Sequence, residues 1–269
     1  MSGTPWEAMA PRWERGRELL WRSTRGVSEW LVDRLAPSPG DVVVDLAAGT
    51  GDTGFLAASR LEPGGRLITS DREPGMLDAA RRRAEELGVT NAEFRLLDTD
   101  ALDLPDASVD GVISRFGYIL RGDPPPALSE IRRVLRPDGR LVFSVWAAHD
   151  LNPWMTVPAD VMVERGHLEP QPDASLRLSA RRNPDSIREL LGAAGFGEPE
   201  IEEMAVPYRF RDADELWFFV SELRGPISLA IAQLPNDEQA AVRAEVEARA
   251  TRVGEGFELG GTSLNVAVS

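Results

Sequence analysis

A short glycine-rich segment follows the first strongly apolar run of the chain. The run Val42-Val43-Val44 leads into Asp45, and residues 49–54 read Gly-Thr-Gly-Asp-Thr-Gly. The β-branched run predicts a buried parallel strand, and the apolar spacing that follows the glycines predicts a helix. Gly49 and Gly51 let the backbone approach a ligand with no Cβ in the way. The spacing matches the dinucleotide pattern G-x-G-x-x-G, which is weak evidence when it stands alone.

Asp45 indicates which nucleotide this turn accepts. A dinucleotide places its pyrophosphate over such a turn and the following helix N-terminus, where positive potential is favourable. A carboxylate opposes a diphosphate there, whereas it attracts the ammonium and sulfonium groups of S-adenosylmethionine, which carries no phosphate. Asp71 ends the next predicted strand, where an acidic side chain can accept hydrogen bonds from ribose hydroxyls. Because NAD also contains this ribose, Asp71 fits both ligands, and Asp45 favours S-adenosylmethionine.

Strand and helix patterns alternate after residue 40, which indicates a parallel α/β sheet. We expect a Rossmann-like, seven-stranded, mostly parallel sheet with helices on both faces, preceded by N-terminal helices and interrupted by an inserted cap. The predicted strands are residues 42–45, 66–71, 92–97, 109–115, 141–146, 201–210 and, as an edge strand, 262–268. The predicted helices are residues 12–20, 27–35, 73–87, 125–135, 212–223 and 237–253, with one more after 52 and one after Asn183-Pro184, and a turn is predicted at 136–140. We expect a break between the first two helices at residues 23–26 and the end of the helix over residues 73–87 at Gly88, a typical C′ glycine.

The length of 269 residues indicates one domain with elaborations. We divide residues 1–269 into an N-terminal helical lid (1–38), a cofactor-binding core (40–147), a substrate cap of irregular structure (148–183) and a C-terminal part that completes the sheet (184–269).

Composition excludes several kinds of chemistry. The chain has no cysteine and no lysine, so thiolate metal sites, cysteine nucleophiles, Schiff bases and Walker-type lysines are absent. A formal net charge of −14 and a pI near 4.7 disfavour a nucleic-acid partner. The N-terminal segment has no signal-peptide h-region and no window approaches a membrane span, so we expect a cytoplasmic protein without a membrane partner. No metal site is expected.

Several segments in order resemble the class I S-adenosylmethionine-dependent methyltransferases, in particular the ubiquinone/menaquinone-biosynthesis-like group. They are residues 45–52, Asp71, the loop 98–101, the segment 114–117 and the run 132–140, which is similar to R-x-L-K-P-G-G. Ala47 stands where many members have glycine, and Asp138 replaces a usual glycine in a turn that accepts Asp. The resemblance implies S-adenosylmethionine as cofactor, ribose contact by Asp71 and adenine contact by Asp98, although Asp98 could instead cap a turn. The implied cofactor-binding residues are Asp45, Ala47, Gly49, Gly51, Asp71, Arg72, Met76, Asp98, Thr99, Ser114 and Phe116.

Methyl transfer from a sulfonium is an in-line displacement, and a general base matters only when the acceptor arrives protonated. The candidate catalytic residues are His149, which could also be a surface histidine, and Tyr118, which could also be a packed tyrosine. Arg115 is more plausibly an ion-paired strand end than a clamp for a substrate carboxylate. Aromatic residues near the sheet's carboxyl edge and in the N-terminal segment suggest an apolar acceptor, although the N-terminal indoles could simply anchor helices. The proposed substrate pocket is Trp13, Tyr118, Trp146, Trp154 and Met155.

The predicted function is therefore methyl transfer from S-adenosylmethionine to a small hydrophobic or aromatic acceptor. Two alternatives stay open at this point. One is a nicotinamide-dependent oxidoreductase, based on the glycine pattern, and the other is a non-catalytic S-adenosylmethionine-binding module. The oligomeric state is open. Val242, Val246 and Ala250 lie on one face of the last helix, which we interpret as a core-packing face, with a dimer seam as the alternative.

Overall fold

A computed structural model describes residues 5–117, 119, 120, 125–170 and 183–269. The chain forms two compact units, each described here by itself. The sheet unit comprises residues 24–145, 183–204 and 264–269, and the aromatic unit comprises residues 1–23, 146–182 and 205–263. The finer division into lid, core, cap and C-terminal part stays a prediction.

Strands and helices alternate through the first half of the described chain, as the sequence patterns predict. The strands are β1 (Val42–Leu46), β2 (Arg66–Asp71), β3 (Ala92–Leu96), β4 (Val109–Arg115), β5 (Leu135–Trp146), β6 (Glu200–Ala205), β7 (Tyr208–Phe210), β8 (Thr251–Val253), β9 (Gly256–Leu259) and β10 (Thr262–Val268). The helices are α1 (Pro5–Arg15), α2 (Arg17–Leu35), α3 (Asp52–Ala58), α4 (Pro74–Leu87), α5 (Pro126–Val134), α6 (Pro153–Glu164), α7 (Pro184–Ala193), α8 (Ala213–Phe218), α9 (Pro226–Ile231) and α10 (Asn236–Arg249).

Seven strands form the main sheet in the order β3-β2-β1-β4-β5-β10-β6, which confirms the predicted fold class. The pairs β2–β3, β1–β2, β1–β4 and β4–β5 are all parallel. The strand order reverses between β1 and β4, because β1 connects onward to β2 on one side and the chain later returns to place β4 on the other. In an open α/β sheet, ligands bind beyond the carboxyl ends of the strands at such a switch point.

The centre of this sheet is apolar on both faces, as expected for buried parallel strands. Val43 and Val44 in β1, Val112 in β4 and Phe143 in β5 are each no more than 1% exposed. The edge strand β3 is only partly buried, and its Leu96 is largely exposed. Burial of the central strands holds their carboxyl ends in fixed register, which positions the turns that follow them.

Local capping signals in the sheet unit are confirmed. Helix α4 ends at Gly88, which adopts a left-handed conformation with φ 67°. Asn183 caps α7: its side-chain oxygen accepts a hydrogen bond from Ser186 N at 3.0 Å, and Pro184 occupies the first turn. These signals act within one turn of the chain, so the sequence alone carries them.

The predicted break in the N-terminal helices at residues 23–26 is wrong. Helix α2 runs through that segment, where the Ser23 hydroxyl donates to Leu19 O at 3.1 Å. The helices instead separate at Gly16, where a Cβ would lie 2.4 Å from the Leu223 side chain. Gly16 therefore marks the break and also allows the close approach of Leu223, and the helix tolerates Gly26 at a cost of about 1 kcal/mol.

Two predicted irregular segments are more regular than expected. The turn predicted at residues 136–140 lies within β5. In the register between β4 and β5, Val109 pairs with Leu135 and Gly111 pairs with Arg140, so β5 contains more residues than β4 between these two pairs. The residues between are looped out of the ladder, so a turn-like sequence is accommodated as a bulge. In the predicted cap, residues 153–164 form helix α6, which begins with Pro153 and contains Pro158. The remaining cap residues 171–182 lie outside the described residues.

The C-terminal third departs most from expectation. The strand predicted over residues 201–210 is two strands, β6 and β7, in different sheets, and the break falls at Val206-Pro207, where proline lacks a donor for a ladder. The helix predicted to residue 253 ends at Arg249, and β8 follows. Strand β10 lies between β5 and β6 rather than at an edge. Helix α9 was not predicted.

A second sheet belongs to the aromatic unit and was also not predicted. Its three strands are antiparallel in the order β7-β9-β8. Gly254, with φ 61°, connects β8 to β9, and a Cβ on Gly256 would lie 2.1 Å from Phe210 O. The Gly-Glu-Gly run at residues 254–256 was a hairpin signal, but the helix predicted to residue 253 covered the residues that form β8.

Candidate functional site

The turn between β1 and α3 is the centre of the candidate cofactor site. It follows the carboxyl end of β1, directly beside the point where the strand order reverses. Its backbone is left-handed at Ala47 (φ 54°), Gly49 (φ 57°) and Gly51 (φ 83°). A Cβ on Gly51 would lie 2.5 Å from the Phe55 ring, so glycine is needed there for space as well as for conformation. The turn thus presents bare backbone at the sheet's ligand-binding edge.

Asp45 lies beneath this turn and is 1% exposed. Its Oδ2 accepts a hydrogen bond from Gly54 N at 3.0 Å, which ties the end of β1 to the first turn of α3. Burial raises the pKa of Asp45 from 3.8 to about 8, while the nearby Arg115 guanidinium and the Gly54 hydrogen bond act in the opposite direction. The free protein therefore keeps this carboxyl largely protonated at pH 7. A cation bound beside Asp45 would favour the ionised form.

Asp71 connects two turns. Its Oδ2 accepts from Gly49 N and its Oδ1 accepts from Glu73 N, each at 3.0 Å. The side chain is buried, and burial raises its pKa against the opposing effect of these backbone hydrogen bonds. Asp71 therefore sets the distance between the β1–α3 turn and the β2–α4 turn. Contact with a ribose stays a prediction for this residue.

Ser114 and Phe116 at the end of β4 complete the described turn region. The Ser114 hydroxyl is fully buried and donates to Leu46 O at 2.8 Å, so it joins β4 to β1. Phe116 has φ 61°, and its N–H faces Ser144 O at 3.0 Å and Ser144 Oγ at 3.2 Å. Ala47 and Phe116 are thus two non-glycine residues held in left-handed conformations, a form of strain that concentrates at functional sites.

The remaining predicted cofactor residues differ in exposure. Asp98 is exposed, and its Oδ1 accepts from Asp100 N at 3.0 Å, so it caps a turn. Thr99 is half-buried, Arg72 is exposed beside Glu73, and the Met76 side chain is buried at the start of α4. Their adenine or ribose contacts stay predictions.

Sequence reasoning missed the contacts that hold α3 in place. Asp52 is buried, accepts from Thr50 Oγ1 at 2.8 Å and pairs with Arg83 Nε of α4 at 2.9 Å. The Thr53 and Ser28 hydroxyls lie 3.0 Å apart and are buried. An acidic residue in the first helical turn was the available signal for Asp52, but no local pattern identifies Arg83 as the partner of Asp52 or Ser28 as the partner of Thr53.

Replacement of Ala47 tests the strain in the turn. We expect Ala47→Val to lower the free energy of unfolding by about 2 kcal/mol, because a β-branched residue disfavours the left-handed region. Ala47→Gly is expected to change it by less than about 1 kcal/mol, since released strain offsets the greater freedom of the unfolded chain. Urea unfolding of both variants measures the difference. Equal stability of Ala47→Val and wild type would contradict a left-handed Ala47.

The aromatic unit contains a cluster of five rings, which we call the aromatic cluster. Trp146 and Trp154 have ring centroids 4.5 Å apart, and Trp154 lies 5.2 Å from Tyr208. Tyr208 in turn lies 4.8 Å from Phe219, which contacts Phe210 at 5.2 Å. The members are Trp146, Trp154, Tyr208, Phe210 and Phe219. The structure thus brings together two of the residues predicted to line a substrate pocket, and adds three that were not predicted.

Asn152 positions the exposed end of this cluster. Its Oδ1 accepts from Trp154 Nε1 and from Thr262 N, each at 3.1 Å, and its Nδ2 donates to Ala147 O at 3.2 Å and Ala148 O at 2.9 Å. A fully buried amide with all these partners holds the Trp154 indole in one orientation. A Cβ on Gly261 would lie 2.7 Å from this ring, so glycine leaves the space for it.

The other predicted substrate and catalytic residues lie as follows. Trp13 is half-buried in α1, and Met155 is half-buried directly after Trp154. His149 is half-buried in a 3₁₀ turn, and its Nε2 is buried without a hydrogen-bond partner among the described residues. Tyr118 lies outside the described residues. His167 contacts Glu238 Oε2 at 2.8 Å, which accounts for it as part of a surface ion-pair network.

Within residues 5–117, 119–120, 125–170 and 183–269, no group of three or more acidic or histidine side chains could hold a metal ion. In the same ranges, no helix combines the length and apolar character needed to cross a bilayer.

The residues at the turn are compatible with one nucleoside cofactor in particular. The buried carboxyl groups of Asp45 and Asp71 and the bare backbone of the turn fit a ligand with a cationic end and ribose hydroxyls. The buried carboxyls do not favour a pyrophosphate. This donor set fits S-adenosylmethionine.

Comparisons with known proteins agree with this geometry. The profile of the family described as Methyltransferase domain matches residues 37–176, just over half of the chain. A demethylmenaquinone methyltransferase of Thermus thermophilus is 40% identical over 129 residues, which cover 47% of this chain and 54% of the relative. A nocamycin O-methyltransferase of Saccharothrix syringae is 29% identical over 233 residues, or 82% of each chain. The fold is similar to that of the YcgJ protein from Bacillus subtilis, with TM-score 0.59 and 18% identity over 91% of this chain and 97% of the other.

The fold and site define an S-adenosylmethionine-dependent class I methyltransferase architecture, as the sequence resemblance predicts. The chain belongs to the methyltransferase-domain family, whose class uses S-adenosylmethionine. The chain spans about half the length of the Thermus relative that it matches.

Proposed function

We propose that this protein transfers the methyl group of S-adenosylmethionine by in-line displacement to a small, apolar or aromatic acceptor. The observation that carries the proposal is the turn after β1, with Asp45 and Asp71 buried against left-handed backbone at the strand switch point. Membership of the methyltransferase-domain family supports it independently.

The bound cofactor supplies a methyl group that its sulfonium sulfur already activates. Asp45, Gly49 and Gly51 would hold the amino-acid end of the cofactor. Asp71 would hold its ribose, and the loop at Asp98 its adenine. What the chain contributes is binding, orientation and exclusion of water, since positioning supplies most of the acceleration of such a displacement. The carboxyl of Asp45 would release its proton when a cationic group binds beside it.

An apolar or aromatic acceptor is supported by the aromatic cluster, in which Trp146 and Trp154 are only half-buried. Partly exposed indoles that are held in place offer a flat apolar face. The relatives named for demethylmenaquinone and nocamycin are also small-molecule methyltransferases. We therefore include a small-molecule acceptor in the function proposed for this chain.

Cofactor binding is the direct test. Thermal shift with S-adenosylhomocysteine should stabilise the protein, by about 3 kcal/mol at one hundred times its Kd, whereas NADH should not. Transfer of radiolabelled methyl from S-adenosylmethionine into a panel of phenols, quinones, aromatic acids and amines then identifies the acceptor class. Stabilisation by NADH alone would support the nicotinamide-dependent oxidoreductase, for which neither the comparisons nor the site gives support. Cofactor binding without transfer to any acceptor would favour the non-catalytic module.

His149 is the proposed general base, because its buried Nε2 has no partner among the described residues. We expect His149→Gln to lower kcat about 10²-fold or more, with S-adenosylhomocysteine binding unchanged. His167→Gln is the matched control, since His167 is already paired with Glu238. A full-rate His149→Gln enzyme would exclude the role. Tyr118→Phe should be compared in the same assay, because Tyr118 is the second candidate.

Three further predictions from composition and pattern accompany this proposal. They are a cytoplasmic location, the absence of a nucleic-acid partner and an oligomeric state that could be dimeric. Val242 and Val246 are buried within the chain, which supports the core interpretation of the last helix.

A further inference from the structure

Arg224 is a buried cation in the aromatic unit that the proposed chemistry does not use. It follows a π-helical turn formed by residues Phe219–Leu223 and is 8% exposed. Its Nη2 donates to Met155 O at 3.1 Å, and its Nε is buried without a hydrogen-bond partner among the described residues. A guanidinium has five N–H donors. Most of the hydrogen-bonding capacity of Arg224 is therefore left for something other than the described chain.

The guanidinium of Arg224 lies against the aromatic cluster, with its Cζ 4.2 Å from the centroid of the Trp154 ring. Among the described residues, no carboxylate lies within ion-pair distance of it. Arg165 in the same unit, by contrast, pairs with both Glu238 and Glu245. Burial lowers the pKa of Arg224 to about 10, and only the Tyr208 hydroxyl opposes this effect. The group is thus charged at neutral pH, desolvated and without a counter-charge in the described structure.

An uncompensated buried charge is costly, and stacking on an indole returns only part of that cost. The surrounding contacts nevertheless hold Arg224 in place. The Ser228 hydroxyl accepts from Arg224 N at 2.8 Å and donates to Val220 O at 2.9 Å, and Ser228 is fully buried. On the other side, Asn152 fixes the Trp154 indole. Ser228 thus fixes the backbone that carries the cation, while the Met155 O hydrogen bond and the Trp154 ring hold the guanidinium itself, an arrangement that is pre-organised as in a binding site.

We propose that Arg224 and the face of Trp154 form a subsite for a carboxylate carried by an aromatic or apolar methyl acceptor. This inference rests on the proposed methyltransferase function and names its substrate class. The acceptor's carboxylate accepts from Nε and a neighbouring Nη of Arg224, the planar fork that matches two carboxylate oxygens. Its apolar framework lies against the half-buried indoles Trp146 and Trp154. One guanidinium balances one negative charge, so a monoanionic carboxylate fits better than a dianionic phosphate.

The test is a binding titration of the wild-type protein in which tryptophan fluorescence is the signal. The probes are 1-naphthoate, its methyl ester and naphthyl phosphate. We expect the acid to bind at least about tenfold more tightly than the ester and more tightly than the phosphate. Arg224→Gln should lose about 10- to 100-fold in affinity for the acid, because hydrogen bonds to a charged group are lost, and leave affinity for the ester unchanged. Arg224→Lys should recover part of the loss, since it keeps the charge but not the fork.

Arg209→Gln is the matched control, because Arg209 is an exposed arginine of the same unit that pairs with Glu258. It should bind all three probes as wild type does. S-adenosylhomocysteine binding, measured on wild type and every variant, separates the two proposals. If the wild-type protein does not bind S-adenosylhomocysteine, the methyltransferase function is refuted. If it binds S-adenosylhomocysteine but binds the acid and the ester equally well, only the subsite is refuted. Failure of the acid to bind wild type at about 10 mM, or equal acid binding by Arg224→Gln, overturns the inference, as does tighter binding of the phosphate. A structural role alone would lower the melting temperature of Arg224→Gln without altering the acid-to-ester ratio.

Discussion

Asp45→Asn is expected to weaken S-adenosylhomocysteine binding about 100-fold at pH 8 and to leave the fold intact. The amide has nearly the same shape and can still accept from Gly54 N, so the 3.0 Å hydrogen bond need not be lost. What disappears is the negative charge opposite the ligand's ammonium group. At a few ångströms and an effective dielectric near 20, such a pair contributes about 4 kcal/mol before desolvation, and a net loss of roughly 3 kcal/mol corresponds to this factor.

The same substitution has a second effect, on stability, with a definite sign. The pKa of Asp45 is raised from 3.8 to about 8 in the folded protein, so the folded state binds more protons than the unfolded chain between these values. Stability of the wild type should therefore fall as pH rises through that window, by at most about 1.4 kcal/mol per pH unit from this group. Asp45→Asn lacks this contribution, so its stability relative to wild type should increase from pH 5 to pH 8.

Two measurements check these expectations together. Calorimetric titration with S-adenosylhomocysteine between pH 6 and pH 8 should show affinity rising with pH in wild type, because binding requires the ionised carboxylate, and proton release in unbuffered solution. The variant should show neither. Urea unfolding at pH 5 and pH 8 gives the stability difference. Wild-type affinity that is independent of pH, or an Asp45→Asn variant that binds normally, would remove Asp45 from the cofactor site.

Gly54→Ala is expected to be the most disruptive single-methyl change in the turn region. The added Cβ would lie 2.6 Å from Asp45 Oδ2, 3.0 Å from Asp45 Cβ and 3.0 Å from Leu67 Cδ2. All these atoms are buried, and the displaced carboxyl is the one that accepts from Gly54 N. We expect a loss of about 3 kcal/mol in the free energy of unfolding, as for overpacking in a dense core, together with loss of S-adenosylhomocysteine binding.

Gly192→Ala provides the matched control. Gly192 lies in α7, and a Cβ there would meet nothing within 4 Å. Alanine should therefore stabilise the protein by about 0.5–1 kcal/mol through helix propensity, with binding unchanged. The double variant Asp45→Ala/Gly54→Ala should cost less than the sum of the single changes, by about 1 kcal/mol or more, because the first makes space for the second. Additive costs would show that the clash with Asp45 is not the cause.

The parts of the fold that follow from local pattern could be predicted from the sequence. The bounds of β2 and β4 match residue for residue, and Gly88 and Asn183 end and begin their helices where expected. Each of these features depends on residues within one turn or one strand. The same holds for the position of the turn itself, which Gly49 and Gly51 mark in the sequence, whereas the left-handed backbone at Ala47 was not predicted.

The order of strands in the C-terminal third could not be predicted in this way. The residues of β10 alternate as an edge strand would, yet the strand is inserted between β5 and β6. A run of alternating residues does not specify which strands flank it. Likewise, the helical pattern of α10 does not predict that residues 251–253 leave the helix and form strand β8. That change depends on the pairing of β8 with β9, which a helical pattern does not contain.

The sequence by itself determined the family, the cofactor class and the position of the turn between β1 and α3, because close approach to a nucleotide needs particular residues at particular spacings. Tertiary structure decided the ionisation of Asp45 and the isolation of Arg224, because both depend on how much water and which distant charges the fold leaves beside them. A local sequence pattern does not predict how deeply these two charged groups are buried, nor whether residues remote in the chain neutralise them.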